Sequence, residues 1–218
     1  MTGEAPIRVI VVDDHEMFAE SIGRVLALED DIEVAGLAAS SRQGIELAEA
    51  LAPDVAIVDH RLPDAGGAQT IRRILAVSPS TKVLILSGYK DHQVVSSSIR
   101  AGCSGFLSKD KAVRELAVAV RAVRDGEAYL PSEALGRLVA RGSTPDGAGP
   151  GDELTRRERH VLQLMAGGLS NRAIATQLSL SLNTVRNHVQ RILTKMEAHS
   201  KLEAVMIAFR EDLVERPE

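Results

Sequence analysis

Five short runs of apolar, largely β-branched residues punctuate the first half of this 218-residue chain: Ile7–Val12, Ile32–Leu37, Val55–Val58, Val83–Leu86 and Gly105–Leu107. Amphipathic stretches follow them at 15–28, 41–51, about 68–77, about 91–101 and 110–125. A run without polar alternation is buried on both faces, as in a parallel sheet covered by helices. Five strand–helix units in a row therefore predict a doubly wound α/β fold around a five-stranded parallel sheet. With three Phe, two Tyr and no Trp, its core has to be aliphatic.

Two domains are expected. The segment Arg141-Gly-Ser-Thr-Pro-Asp-Gly-Ala-Gly-Pro-Gly-Asp152 has four Gly, two Pro and no large apolar side chain, and reads as a flexible linker. A short helical-looking piece, 132–140, precedes it. Beyond it there are no strand signals, only four short helices, with a capping box at Thr155–Glu158 and N-caps at Ser170 and Ser181. The expected division is a domain at 5–126, a linker at 127–152 and an all-α helix-turn-helix domain at 153–216. The single cysteine, Cys103, excludes an intramolecular disulfide and a Cys-based zinc site. No uncharged apolar run approaches the roughly 18 residues of a membrane span, and the start of the chain lacks a signal-peptide layout, so a soluble cytoplasmic protein is expected.

Charge is unevenly spread. The whole chain carries −4, yet residues 155–210 hold nine basic side chains against Glu158, Glu197 and Glu203. A compact basic segment joined to an acidic domain suggests binding to a polyanion, although an ordinary solvated surface has the same composition.

Functional groups of doubly wound sheets collect at the carboxyl ends of the strands. Here those ends carry Asp13-Asp14, Asp59, Ser87 and Lys109. Three carboxylates in one pocket repel each other and need a cation, and an oxygen-only ligand set suits Mg2+. A hydroxyl and an ammonium facing the same pocket suit a phosphoryl group. Taken alone, Asp13-Asp14 reads equally well as a helix N-cap; five such residues at the strand ends favour the pocket.

The segments VVDDHE, IVDHRLPDAGG, ILSGY and AGCSGFLSKD resemble the receiver domain of two-component response regulators. The resemblance implies that Asp13, Asp14 and Asp59, aided by the backbone carbonyl of Arg61, hold Mg2+. It also implies that Asp59 accepts a phosphoryl group from a sensor histidine kinase, that Ser87 and Lys109 bind the phosphoryl oxygens, and that Phe106 is the switch aromatic. Three features depart from the usual pattern. His60 follows Asp59 where an apolar residue is common; Asp110 follows Lys109 where many receivers have Pro, and reads as a helix N-cap. Arg61 and Tyr89 are bulky at the positions flanking the path of attacking water. Cys103 reads as a small buried side chain.

In the basic segment, a turn at Ser179–Ser181 separates two helices, as a helix-turn-helix requires. On the second of them Val185, Val189, Ile192, Leu193 and Met196 share one face. Asn183, Arg186, Asn187, Gln190, Arg191 and Thr194 cover the other, with hydrogen-bonding tips suited to base edges. Residues 154–208 resemble the LuxR-type helix-turn-helix of NarL/FixJ response regulators. By that resemblance Arg186, Asn187 and Gln190 touch bases, while Thr184, Arg191, Lys195 and Arg172 meet the DNA backbone. In the final helix, about 201–213, Ala204, Ile207 and Ala208 oppose the apolar stripe and form the expected dimer face, although the same patch would also serve to pack on the receiver. The combined expectation is a transcription regulator rather than an enzyme: a homodimer when active, on inverted half-sites of double-stranded DNA, with RNA polymerase as a possible further partner. A phosphotransferase or phosphatase, and a constitutive DNA binder with a vestigial receiver, are the alternatives.

Overall fold

The computed structural model describes residues 5–88, 92–130 and 153–215. Tyr89, the helical-looking piece at 132–140 and the glycine-rich segment lie outside the described residues. The chain divides into two compact units, Met1–Pro131 and Ser132–Glu218.

The first unit runs β1 (Ile7–Val12), α1 (Glu16–Leu26), β2 (Ile32–Ala38), α2 (Ser41–Leu51), β3 (Val55–Asp59), α3 (Gly67–Val77), β4 (Lys82–Ser87), α4 (His92–Arg100), β5 (Gly105–Ser108) and α5 (Ala112–Arg124). The strands form one parallel sheet in the order β2-β1-β3-β4-β5. The order reverses after β1, which opens a crevice beyond the carboxyl ends of β1 and β3. Val9, Ile10, Val11 and Val12 are all fully buried, as are Val55 to Val58. Odd-numbered β1 residues Ile7, Val9 and Val11 pack with Ala19, Ile22 and Leu26 of α1 and with Leu116, Ala119, Val120 and Val123 of α5. Burial of each large aliphatic side chain contributes roughly 1.5–3 kcal/mol, so β-branched runs covered on both sides hold the strand ends in place. Gly44 lets α2 close on β1: a Cβ there would stand 2.7 Å from Val12 Cγ2.

The helix after β5 starts at Ala112, not at Asp110. Lys111 is its N-cap and caps it with no side-chain bond, while Asp110 folds back to accept from Ser108 Oγ. This corrects the expected N-cap. After α5 the chain stays on the sheet: Phe106 N–H donates to the Tyr129 carbonyl (2.7 Å), and Tyr129 Oη donates to Glu115 (2.9 Å). Burial and the neighbouring Glu115 carboxylate push the Tyr129 phenol up to about 12. The chain is therefore still tied to the sheet at Tyr129.

The second unit is helical in its described residues: α6 (Arg156–Ala166), α7 (Asn171–Leu178), α8 (Leu182–Lys195) and α9 (Lys201–Arg210). Thr155 and Glu158 form the full capping box, and Ser170, Ser181 and Ser200 cap the three later helices through the N–H three residues on. Gly168, at φ +78, turns the chain out of α6 in a conformation that side chains disfavour. One core joins Val161, Leu162, Ile174, Val185, Ile192, Val205 and Phe209.

Candidate phosphoacceptor pocket and nucleic-acid interface

The strand ends converge. Asp13 follows β1, Asp59 closes β3, Ser87 closes β4 and Lys109 follows β5; Asp13, Asp59 and Ser87 are each no more than 5% exposed. Lys109 Nζ donates to Asp13 Oδ2 at 2.6 Å and to Asp59 Oδ2 at 2.7 Å. Its ammonium also lies 4.6 Å from the centre of the Phe18 ring, a cation–π contact. Burial disfavours the lysine charge, but the hydrogen bonds to Asp13 and Asp59 outweigh it and raise the ammonium above its ordinary pKa. A cavity of about 360 Å³ opens over these groups, lined by His15, Phe18, Asp59, His60, Arg61, Ser87, Gly88 and Lys109.

Asp13 does not cap α1. His15 occupies the N-cap position, and Asp13 Oδ1 accepts the His15 N–H at 2.9 Å. The helix-cap alternative for Asp13-Asp14 therefore falls away. His15, absent from the expected ligand set, lies among the acids: its Nδ1 is 3.2 Å from Asp13 Oδ1 and 3.0 Å from Asp14 Oδ1. Potential ligand atoms of Asp13, Asp14, His15 and Asp59 all fall within 4.8 Å of one another. Three carboxylates against one ammonium leave excess negative charge, and their hard oxygens fit a divalent cation such as Mg2+. Arg61 is exposed, its N–H 3.3 Å from Asp59 Oδ1. Phe106 is buried in β5 and 3% exposed; Cys103 is fully buried, as expected.

Sequence reasoning also missed Asp64. Its two carboxylate oxygens accept the N–H groups of Ser41 (2.8 Å) and Arg42 (3.0 Å) at the start of α2. No local pattern announces a partner 23 residues away.

In the second unit, Ser179 adopts the left-handed conformation at φ 52 and ends α7, and α8 begins two residues later at the Ser181 cap. Arg186, Asn187, Gln190 and Arg191 are exposed along one side of α8, and Arg172 is exposed on α7. Thr184 is half-buried, with its hydroxyl 2.8 Å from Ser181 Oγ. His188 on α8 is half-buried.

Two placements in this unit bear on the expected roles. Lys195, expected at the DNA backbone, is partly exposed and paired within the domain: its Nζ lies 2.7 Å from Glu158 Oε2 and donates to the Glu153 carbonyl at 3.0 Å. Glu158 is 3% exposed and so requires a partner. Burial alone would raise its carboxyl, yet Lys195 and the N–H and O–H of Thr155 overcome this and hold it at about 2. The second placement concerns the dimer face. Ala204 and Ala208 are fully buried in the domain core, and only Ile207 of that trio is partly accessible. The final helix packs against both α6 and α8, and its small side chains let those helices approach closely.

Fold and pocket together define the class, a receiver unit joined to a helix-turn-helix unit. Residues 9–121 match the family described as "Response regulator receiver domain", and residues 152–208 match "Bacterial regulatory proteins, luxR family". Transcriptional regulatory protein DegU of Brevibacillus brevis is 34% identical over 219 residues, covering 93% of each chain. Nitrate/nitrite response regulator protein NarL of Escherichia coli strain K12 is 33% identical over 97% of this chain and 99% of its own. The crystal structure of response regulator ChrA, from a heme-sensing two-component system, is similar with a TM-score of 0.50 and 30% identity, covering 96% of this chain and 100% of that one. The chain belongs to the NarL/LuxR family of two-component response regulators, which are transcriptional regulators rather than enzymes.

Proposed function

We propose that Asp59 is the phosphoryl acceptor and that its phosphorylation controls DNA binding by the second unit. The observation that carries this reading is the junction of Asp13, Asp59 and Lys109 in one buried pocket, with Ser87 on its wall. Asp13, Asp14 and Asp59, with the Arg61 carbonyl, would hold Mg2+; when bound, the ion supplies the positive charge that lets a carboxylate meet a phosphoryl dianion. In the transfer, an Asp59 carboxylate oxygen bonds to phosphorus as the P–N bond to the sensor kinase histidine breaks, and that imidazole takes up a proton. Lys109 stays protonated beside the new phosphoryl oxygens, and Ser87 donates its hydroxyl to one of them. Movement of Ser87 then shifts the preferred placement of Phe106, and the two arrangements differ in their competence for DNA.

The receiver is taken as 5–126, with its Tyr129 strap, and the DNA-binding domain as 153–216. Arg186, Asn187 and Gln190 are assigned to base edges, and Thr184, Arg191 and Arg172 to the DNA backbone. The active form is a homodimer on inverted half-sites, working in the cytoplasm, with the sensor kinase upstream and RNA polymerase downstream. For the dimer contact, Ile207 alone remains of the original trio.

The test is incubation of the full chain with a small phosphodonor, with and without Mg2+, followed by intact-mass measurement and DNA titration. A single phosphoryl adduct that needs Mg2+, is absent from Asp59→Asn and tightens DNA binding is the expected result. An adduct on Asp59→Asn overturns the acceptor assignment; DNA affinity indifferent to the adduct favours a constitutive binder.

A further inference from the structure

We propose that Asp64 is a positioning residue for the Mg2+ site, clamping the β3–α3 loop onto α2 and so setting where the Arg61 carbonyl stands. The inference rests on the reading that Asp13, Asp14 and Asp59 hold Mg2+ with help from that carbonyl.

Past Asp59 the chain makes a narrow lobe. Its neck is closed by an antiparallel bridge between Arg61 and Gly66 and by the Gly67 N–H on the His60 carbonyl at 3.0 Å. A lobe tied only at its neck has a fixed width and a free inclination. Asp64, at the tip, removes that freedom. Each of its carboxylate oxygens takes one N–H from the first turn of α2, Ser41 at 2.8 Å and Arg42 at 3.0 Å. These are two of the N–H groups that a helix leaves unsatisfied at its start. The helix's own cap, Ser40 Oγ, reaches only Gln43 N–H, at 3.3 Å. The positive end of the α2 dipole adds to the attraction, and the Arg42 and Ser41 N–H groups hold the Asp64 carboxyl below its usual range.

The partner of the clamp is itself fixed. Thr70 Oγ1 lies 2.9 Å from Ser41 Oγ and 3.2 Å from the Gly66 carbonyl, and Thr70 and Ser41 are no more than 1% exposed. Gly44, one turn into α2, sits flush on Val12, the residue before Asp13. The first turn of α2 is thereby registered against the strand that presents Asp13. Asp64 then registers the Arg61 lobe against the same turn. Two ligand sources from different strands are held at a set separation through one helix end, as outer partners of metal ligands commonly do.

The test is calorimetric titration of the full-length chain with Mg2+, in wild type, Asp64→Ala, Asp64→Asn, Ser40→Ala and Asp59→Asn. Loss of an outer partner typically weakens a metal site by 10–100-fold; for this exposed clamp the expectation for Asp64→Ala is about tenfold, at the low end of that range. Asp64→Asn, with one accepting oxygen, should fall between Ala and wild type. Ser40→Ala loosens the start of α2 without touching the lobe and should leave Mg2+ affinity within about twofold, well short of an outer-partner loss. Amide exchange at Ser41 and Arg42 should accelerate in Asp64→Ala. Wild-type affinity in Asp64→Ala overturns the proposal, and so does an equal loss in Ser40→Ala, since helix stability would then be the cause. A wild type that takes no Mg2+, or an Asp59→Asn that binds it undiminished, refutes the reading of the pocket and the positioning role with it; the Ser41 and Arg42 exchange rates then report the clamp alone.

Discussion

Replacing Glu158 by Gln tests the claim that Lys195 serves the domain's interior. The carboxyl drops from an ordinary 4.5 to about 2 on folding. At 1.36 kcal/mol per unit, that difference corresponds to about 3 kcal/mol. Lys195 is 28% exposed, so solvent screening reduces the recoverable part to about 2 kcal/mol. Glutamine retains an oxygen for the Thr155 N–H, so the loss reports the ion pair more than the cap. A domain of this size shifts by roughly 4–8 °C per kcal/mol, which puts the variant's second unit about 10 °C below wild type near neutral pH. The pH dependence has a definite sign. The folded value lies below the unfolded one, so the stabilisation is complete above about 4.5 and fades as pH falls toward 2. Scanning calorimetry of the full chain, from pH 7 down to pH 2, should show the gap between wild type and Glu158→Gln closing over that window. Lys195→Met should lower the same transition while leaving the salt slope of DNA binding unchanged. A transition within about 2 °C of wild type for Glu158→Gln, far below the expected shift, would refute the reasoning; a shallower salt slope for Lys195→Met with unchanged stability would return that residue to the DNA.

Other outcomes follow from the same geometry. Lys109→Met leaves Asp13 and Asp59 buried without their counter-charge, which costs about 3 kcal/mol in Mg2+-free buffer; thermal scans should show a larger Mg2+-induced rise than in wild type. Because the folded Lys109 value is raised, its contribution is complete below 10.5 and is lost only as alkali passes the raised value, a limb that Lys109→Met should lack. Arg186→Ala should cost roughly 1–3 kcal/mol on the preferred site and little on random DNA, whereas Arg172→Ala should weaken both and reduce the salt slope by about 0.9, as titrations at several salt concentrations will show. Ala208→Glu buries a charge in the core and should unfold the second unit by circular dichroism, while Ile207→Glu keeps its helical signal and loses dimers on DNA; a folded Ala208→Glu would refute the assignment of that face to the core.

Much of the site was legible because its parts are local. Strand runs announce where β1, β3, β4 and β5 stop, and a parallel sheet gathers those stops at one edge, so Asp13, Asp59, Ser87 and Lys109 could be placed together before any coordinates. The caps at Thr155, Ser170 and Ser181 were legible for the same reason, since donor and acceptor stand three residues apart. Asp110 reads as a cap in sequence but does not cap α5, because Ser108, two residues back, donates to its carboxylate.

Sequence by itself determined the alternation of strands and helices, the acidic edge of the sheet, the helix-turn-helix and its exposed polar face, all of which follow from spacing of two to four residues. Tertiary structure decided which side chains those elements consume. Lys195 was a free cation on one face of α8 until packing brought the buried Glu158 beside it. Ala204 and Ala208 formed an open patch until α6 and α8 closed on both sides of the last helix. Asp64 was a loop acid until α2 presented two unpaired N–H groups. In each case the partner lies over twenty residues away or on another helix, and burial makes an unpaired charge or N–H costly enough to dictate the pairing.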